Sequence, residues 1–70
     1  MAEVMQHRSS FIEETSYDHD TSTLEITFSN GRTFQYANFP RATYTSFITS
    51  ASKGKFFHAR IKDAYAAKEA

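Results

Sequence analysis

The residues most able to do chemistry in this chain stand at Ser52-Lys53-Gly54-Lys55. A glycine between two lysines, at the start of a helical pattern, suits an anion. Backbone N–H groups are free there, and a missing side chain lets a phosphate come close. Phe56 adds a ring that could stack on a base, and Arg60 and Lys62 extend the charge along the following helix. The spacing is no Walker motif, which needs an earlier glycine before Gly-Lys-Ser/Thr. The bland alternative is an ordinary turn between helices with solubilising lysines.

Other constellations are weaker. Asp18-His19-Asp20 resembles an acid–base or metal cluster, but no second ligand set stands at metal spacing, so it reads as a solvated turn. His7, His19 and His58 lie among many serines and aspartates, and no nucleophile elbow frames them. The expectation is a non-enzymatic protein with no cofactor and no metal.

The elements that must position these residues are organised around Thr23 to Tyr36. Leu24, Ile26 and Phe28 alternate with polar residues, Asn30-Gly31 interrupts, and Phe34 and Tyr36 alternate again. That is a hairpin pattern. A two-residue Asn30-Gly31 loop would place Phe34 and Tyr36 on the face opposite Leu24, Ile26 and Phe28. The sheet would then show an exposed aromatic pair of the kind that stacks single-stranded RNA. A three-residue Ser29-Asn30-Gly31 loop, with Gly31 as a left-handed bulge, pairs Ile26 with Phe34 and Leu24 with Tyr36 and gathers all five on one face. The second register is favoured, because exposing Phe34 would forgo about 1.5–3 kcal/mol of burial. It makes Tyr36 mostly core.

Ser9 to Tyr17 reads as a preceding strand. Ile12 and Tyr17 differ in parity, so burying both needs a bulge or twist near Glu14 to Ser16. Phe39-Pro40 ends the sheet. Tyr44, Phe47, Ile48 and Ala51 then form one helical stripe, with Gly54 as its stop, and Phe57, Ile61, Ala64 and Tyr65 form a second. The expected fold is α+β, a three-stranded antiparallel meander covered on one face by two C-terminal helices (β-β-β-α-α). Residues 1–8 are expected as an N-terminal arm, 9–65 as the domain, and 66–70 as a fraying helical extension.

Composition narrows the function classes. Seventy residues allow one small domain, and the eleven Phe and Tyr enlarge a core that would otherwise be marginal. With no cysteine there is no disulfide or thiolate site, which suits a reducing cytoplasm, and no apolar run is long enough for a membrane span. Eight basic and eight acidic side chains cancel, but unevenly. The first thirty residues set six acidic groups against Arg8, and the last forty set seven basic groups against Asp63 and Glu69. Such a gradient suits a polyanion-binding face, mutual attraction of the two halves, or head-to-tail self-association.

The order of residues resembles the KTSC domain, named for a C-terminal domain of some lysyl-tRNA synthetases. Ser9-Ser10, Ile12 and Tyr17-Asp18 resemble its opening, and Leu24 to Phe28 followed by Gly31 resemble its hairpin. Phe34-Gln35-Tyr36 stands where that family shows Tyr-x-Tyr. Phe39-Pro40 with Tyr44 resembles its Val-Pro step into a helix, and Ser52 to Phe57 with Ile61 and Tyr65 resembles its ending. Phe34 lacks the first motif hydroxyl, and Phe39 replaces valine. The resemblance implies an accessory module for which RNA binding has been suggested. On that reading Lys53, Gly54, Lys55, Arg60 and Lys62 contact RNA or another polyanion, with Arg32 and Arg41 nearby and Phe56 or Tyr36 available for stacking. The rival expectation is a protein-interaction or homo-oligomeric module that uses a strand edge or the charge dipole.

Overall fold

A computed structural model describes residues 2–70. Five antiparallel strands form one sheet, and their order in space follows their order in the chain. They are β1 (Ala2–Gln6), β2 (Ile12–Asp18), β3 (Thr23–Phe28), β4 (Thr33–Tyr36) and β5 (Ala67–Glu69). Between β4 and β5 the chain crosses one face of the sheet as α1 (Arg41–Ile48) and α2 (Lys53–Phe56). The second runs directly into one wider, π-type turn, Phe57–Ile61. The α+β class and the pair of covering helices stand as expected, but the sheet has five strands, not three. The stretch expected as an arm forms β1, and the one expected to prolong the last helix forms β5. Among the described residues no helix is long and apolar enough to cross a membrane.

The central hairpin takes the three-residue loop. Leu24 pairs with Tyr36 and Ile26 with Phe34. The Phe28 N–H donates to the Arg32 carbonyl at 2.9 Å, and Gly31 sits at φ +87°, a region that costs a residue with a Cβ about 1–2 kcal/mol. The parity break in β2 is also present, one step before its expected place: register shifts between Ile12 and Glu14. Ile12, Thr15 and Tyr17 can therefore all face the helices, where each is essentially buried.

From the other side Phe39, Tyr44, Phe47, Phe57 and Ile61 close the core. Tyr17 and Tyr44 stack with ring centroids 4.4 Å apart, and the Tyr17 hydroxyl donates to the Phe39 carbonyl at 2.6 Å. The chain is thereby fixed where it leaves the sheet at Phe39-Pro40. Helix α1 ends at Ile48, short of Ala51, which is exposed. Its carbonyls are taken by side chains: the Thr49 hydroxyl donates to Thr45 O and the Ser50 hydroxyl to Phe47 O, both at 2.7 Å. Such back-bonding from poor helix formers replaces the stop expected at Gly54, which lies inside α2. The second stripe shortens likewise. Phe57 and Ile61 are buried, Ala64 is exposed, and Tyr65 lies past the helix against Phe39 at 4.7 Å.

Polar contacts, not apolar ones, attach β1. The Glu3 carboxylate accepts from the Tyr44 hydroxyl at 3.0 Å and from His19 Nε2 at 3.2 Å. The His7 ring bonds the buried Thr15 hydroxyl at 2.7 Å. Hydrogen bonds from His19 and then Tyr44 hold the Glu3 carboxyl below its ordinary 4.5. Burial, and then the nearby Lys53 charge, lower His7 from its ordinary 6.5. Both groups bind protons more readily in the unfolded chain, so stability falls as pH drops below 6.5 for His7 and below 4.5 for Glu3. Thermal melts between about pH 7 and pH 3 should show both losses, and Glu3→Gln should flatten the lower one. Asp18, held low by the Asp20 N–H, leaves a residual slope.

Candidate nucleic-acid interface

The residues expected to meet an anion do not form one surface. Ser52 caps α2, its Oγ accepting from Lys55 N at 3.3 Å. Lys53 folds back across the turn, and its ammonium donates to Ser50 O at 2.8 Å, close to the end of α1 where the helix dipole favours a cation. Lys53 shares a polar cleft of about 230 Å3 with Arg8, Ser9, Ser10 and Ser52. The β1–β2 loop supplies one wall and the α1–α2 turn the other. Ser9 Oγ accepts from the Phe11 and Ile12 N–H groups at 3.1 and 3.2 Å, which fixes that loop. Among the described residues neither Arg8 nor Lys53 has a carboxylate partner.

The other expected contacts are placed differently. Arg60 sits over the Phe56 ring, 5.8 Å from its centroid, and Phe47 packs against the same ring at 5.5 Å. Phe56 is half-buried and already has partners, so it offers no free plate for a base. Tyr36 is only 3% exposed and cannot serve as an open stacking surface. Lys62 lies on a separate, apolar groove. Arg32 pairs with Glu69 at 3.1 Å and ties the hairpin to β5, while Arg41 acts at longer range on Glu3. Lys55 is exposed on α2. In the Asp18-His19-Asp20 turn, Asp18 Oδ1 accepts from Asp20 N at 2.9 Å and His19 meets Glu3, so both side chains serve the fold.

Arg8 is the residue the sequence did not single out. It was the one cation in the acidic part of the chain, and only the pairing of β1 with β2 brings it opposite Lys53. The Ser9-Ser10 pair beside it was the available signal. Gly54 also has a role other than the expected one. A Cβ there would meet the Phe11 ring at 3.6–3.9 Å, an ordinary contact. Gly54→Ala should therefore be neutral or stabilise by up to about 1 kcal/mol, the helix-propensity gain. Gly31→Ala should cost about 1–2 kcal/mol. Denaturant titration of the two variants checks both signs.

The KTSC domain family model matches residues 8–65. A lysine–tRNA ligase of Trichormus variabilis is 32% identical over 59 residues, covering 84% of this chain and 10% of that protein. The chain thus spans about a tenth of the length of the curated relative it matches. The crystal structure of a KTSC domain protein from Yersinia pestis matches with a TM-score of 0.94 at 31% identity, over 100% of this chain and 99% of the other.

Proposed function

The chain belongs to the KTSC domain family, and from that footing we propose that it is a small, non-enzymatic accessory module that holds RNA by its phosphate backbone. The observation that carries this reading is the cleft between the β1–β2 loop and the α1–α2 turn. Two cations without carboxylate partners, Arg8 and Lys53, face it among serine side chains. That chemistry suits a phosphodiester, with charge for the oxygens and hydroxyls for further hydrogen bonds. Lys55, two residues along α2, adds an exposed positive charge outside the cleft itself. The ligase relative acts on tRNA by its name, which favours RNA over other polyanions. No open aromatic plate accompanies the cleft, so contact with the backbone would dominate and sequence preference would be slight.

Fluorescence anisotropy with a single-stranded RNA and a tRNA transcript tests this. Binding should be clear at low ionic strength and fall steeply toward physiological salt. Arg8→Ala/Lys53→Ala should weaken it and reduce the salt slope by about 1–1.5, since each single-strand phosphate contact contributes about 0.7. Absence of binding at low salt would refute the reading, and an unchanged double mutant would refute the cleft.

Self-association is a second reading, favoured by the sheet's two open edges. The outer sides of β1 and β5 pair with no further strand among the described residues. Sedimentation from low micromolar to millimolar concentration should then show a rising mass; a constant monomer mass excludes it.

A further inference from the structure

A groove of about 380 Å3 lies beside the β3–β4 loop and the π-type turn. Its wall is aromatic: Phe11, Phe28, Phe34, Tyr36 and Phe57. The rings brace one another, with Phe11 and Phe28 at 5.1 Å and Phe28 and Phe57 at 5.2 Å, tilted or edge-on. The groove is thus walled by mutually packed rings and open to solvent on one side, and its volume falls within the range of about 300–1,000 Å3 usual for small-molecule sites. None of its lining residues lines the Arg8–Lys53 cleft, so the two sites are separable.

The polar members of the lining are Ser29, Asn30, Tyr36, His58 and Lys62. Lys62 and His58 bring positive charge or its capacity, and no carboxylate lines the groove. Tyr36 is the decisive member. Of the three buried tyrosines, Tyr17 donates to Phe39 O and Tyr44 to Glu3, while the Tyr36 hydroxyl has no hydrogen-bond partner among the described residues. Among the described residues no fully buried polar side-chain atom lacks a partner, so this hydroxyl keeps some exposure, and Tyr36 lines the groove. A largely buried ring thus leaves an unused donor on a groove residue. Asn30 spends its Oδ1 on the Arg32 N–H at 2.9 Å, which leaves its Nδ2 as a further donor in the lining.

We propose that this groove binds a small aromatic monocarboxylate. Its ring lies against Phe11, Phe34 and Phe57, and its carboxylate accepts from the donors the lining offers, the Tyr36 hydroxyl and the Lys62 ammonium. The apolar wall selects the ring, and the unbalanced positive charge selects the anion.

Titration of the 15N-labelled chain with 2-naphthoate, followed by amide chemical shifts, tests the assignment. Saturable shifts should gather at Phe11, Asn30, Phe34, Phe57 and His58. The neutral isostere 2-naphthamide should bind about tenfold more weakly, the worth of a hydrogen bond to a charged group. Tyr36→Phe removes only the unused hydroxyl and should leave the melting temperature unchanged; it should weaken binding of both acid and amide, since each has an oxygen that accepts, whereas Lys62→Ala should weaken naphthoate severalfold and the neutral amide less. Arg8→Ala/Lys53→Ala should leave naphthoate binding unchanged. Shifts that do not saturate, shifts centred elsewhere, or equal affinity for acid and amide would overturn the proposal.

Discussion

The left-handed backbone at Gly31 sets the register on which the whole core depends. Three loop residues, not two, place Phe34 and Tyr36 on the same face as Leu24, Ile26 and Phe28. A shift of one residue would turn the two β4 aromatics to the far face, because side chains alternate with period two. The helices would then meet a sheet stripped of half its aromatic cover. The bulge between Ile12 and Glu14 solves the same problem in β2, bringing Ile12 and Tyr17 inward together. Both devices serve one end, a continuous apolar surface broad enough for two short helices.

From that surface the two sites arise by different routes. The polar cleft exists because β1 folds back on β2 and carries Arg8 to the α1–α2 turn. The apolar groove exists because Phe11, from the β1–β2 loop, and Phe57, from the π-type turn, pack beside the sheet's aromatic face near the end of the hairpin. Gly54 lies close to Phe11, with room for a Cβ between them. Tyr36 links the core to the groove: its ring packs against Phe57 at 6.2 Å while its oxygen stays free.

Much of this was legible in the residue pattern. Period-two alternation around Asn30-Gly31 gave the hairpin, and the cost of exposing Phe34 gave its register. The parity conflict between Ile12 and Tyr17 announced a bulge. The outer strands were not legible, for a physical reason. Ala2–Gln6 and Ala67–Glu69 are short, mostly exposed segments with little apolar alternation, and they pair through backbone bonds and contacts such as Glu3 with Tyr44 and Arg32 with Glu69. The helix limits failed similarly: Thr49 and Ser50 ended α1 by bonding its carbonyls, so Gly54 never acted as the stop. Of the residues expected to meet an anion, Lys53 lines the polar cleft, while Phe56 and Tyr36 are drawn into packing. Arg8 was invisible without β1.

The crossover between β4 and β5 bears on the order of assembly. β1 to β4 join through short local connections, whose closure costs little chain entropy, whereas β5 must wait for some thirty intervening residues to find their place over the sheet. Ala67, the first residue of that late strand, borders the aromatic groove. The groove therefore has its full outline only when β5 is paired with β4. An occupant would act as a latch on the C-terminal strand, coupling occupancy to how tightly that edge is zipped.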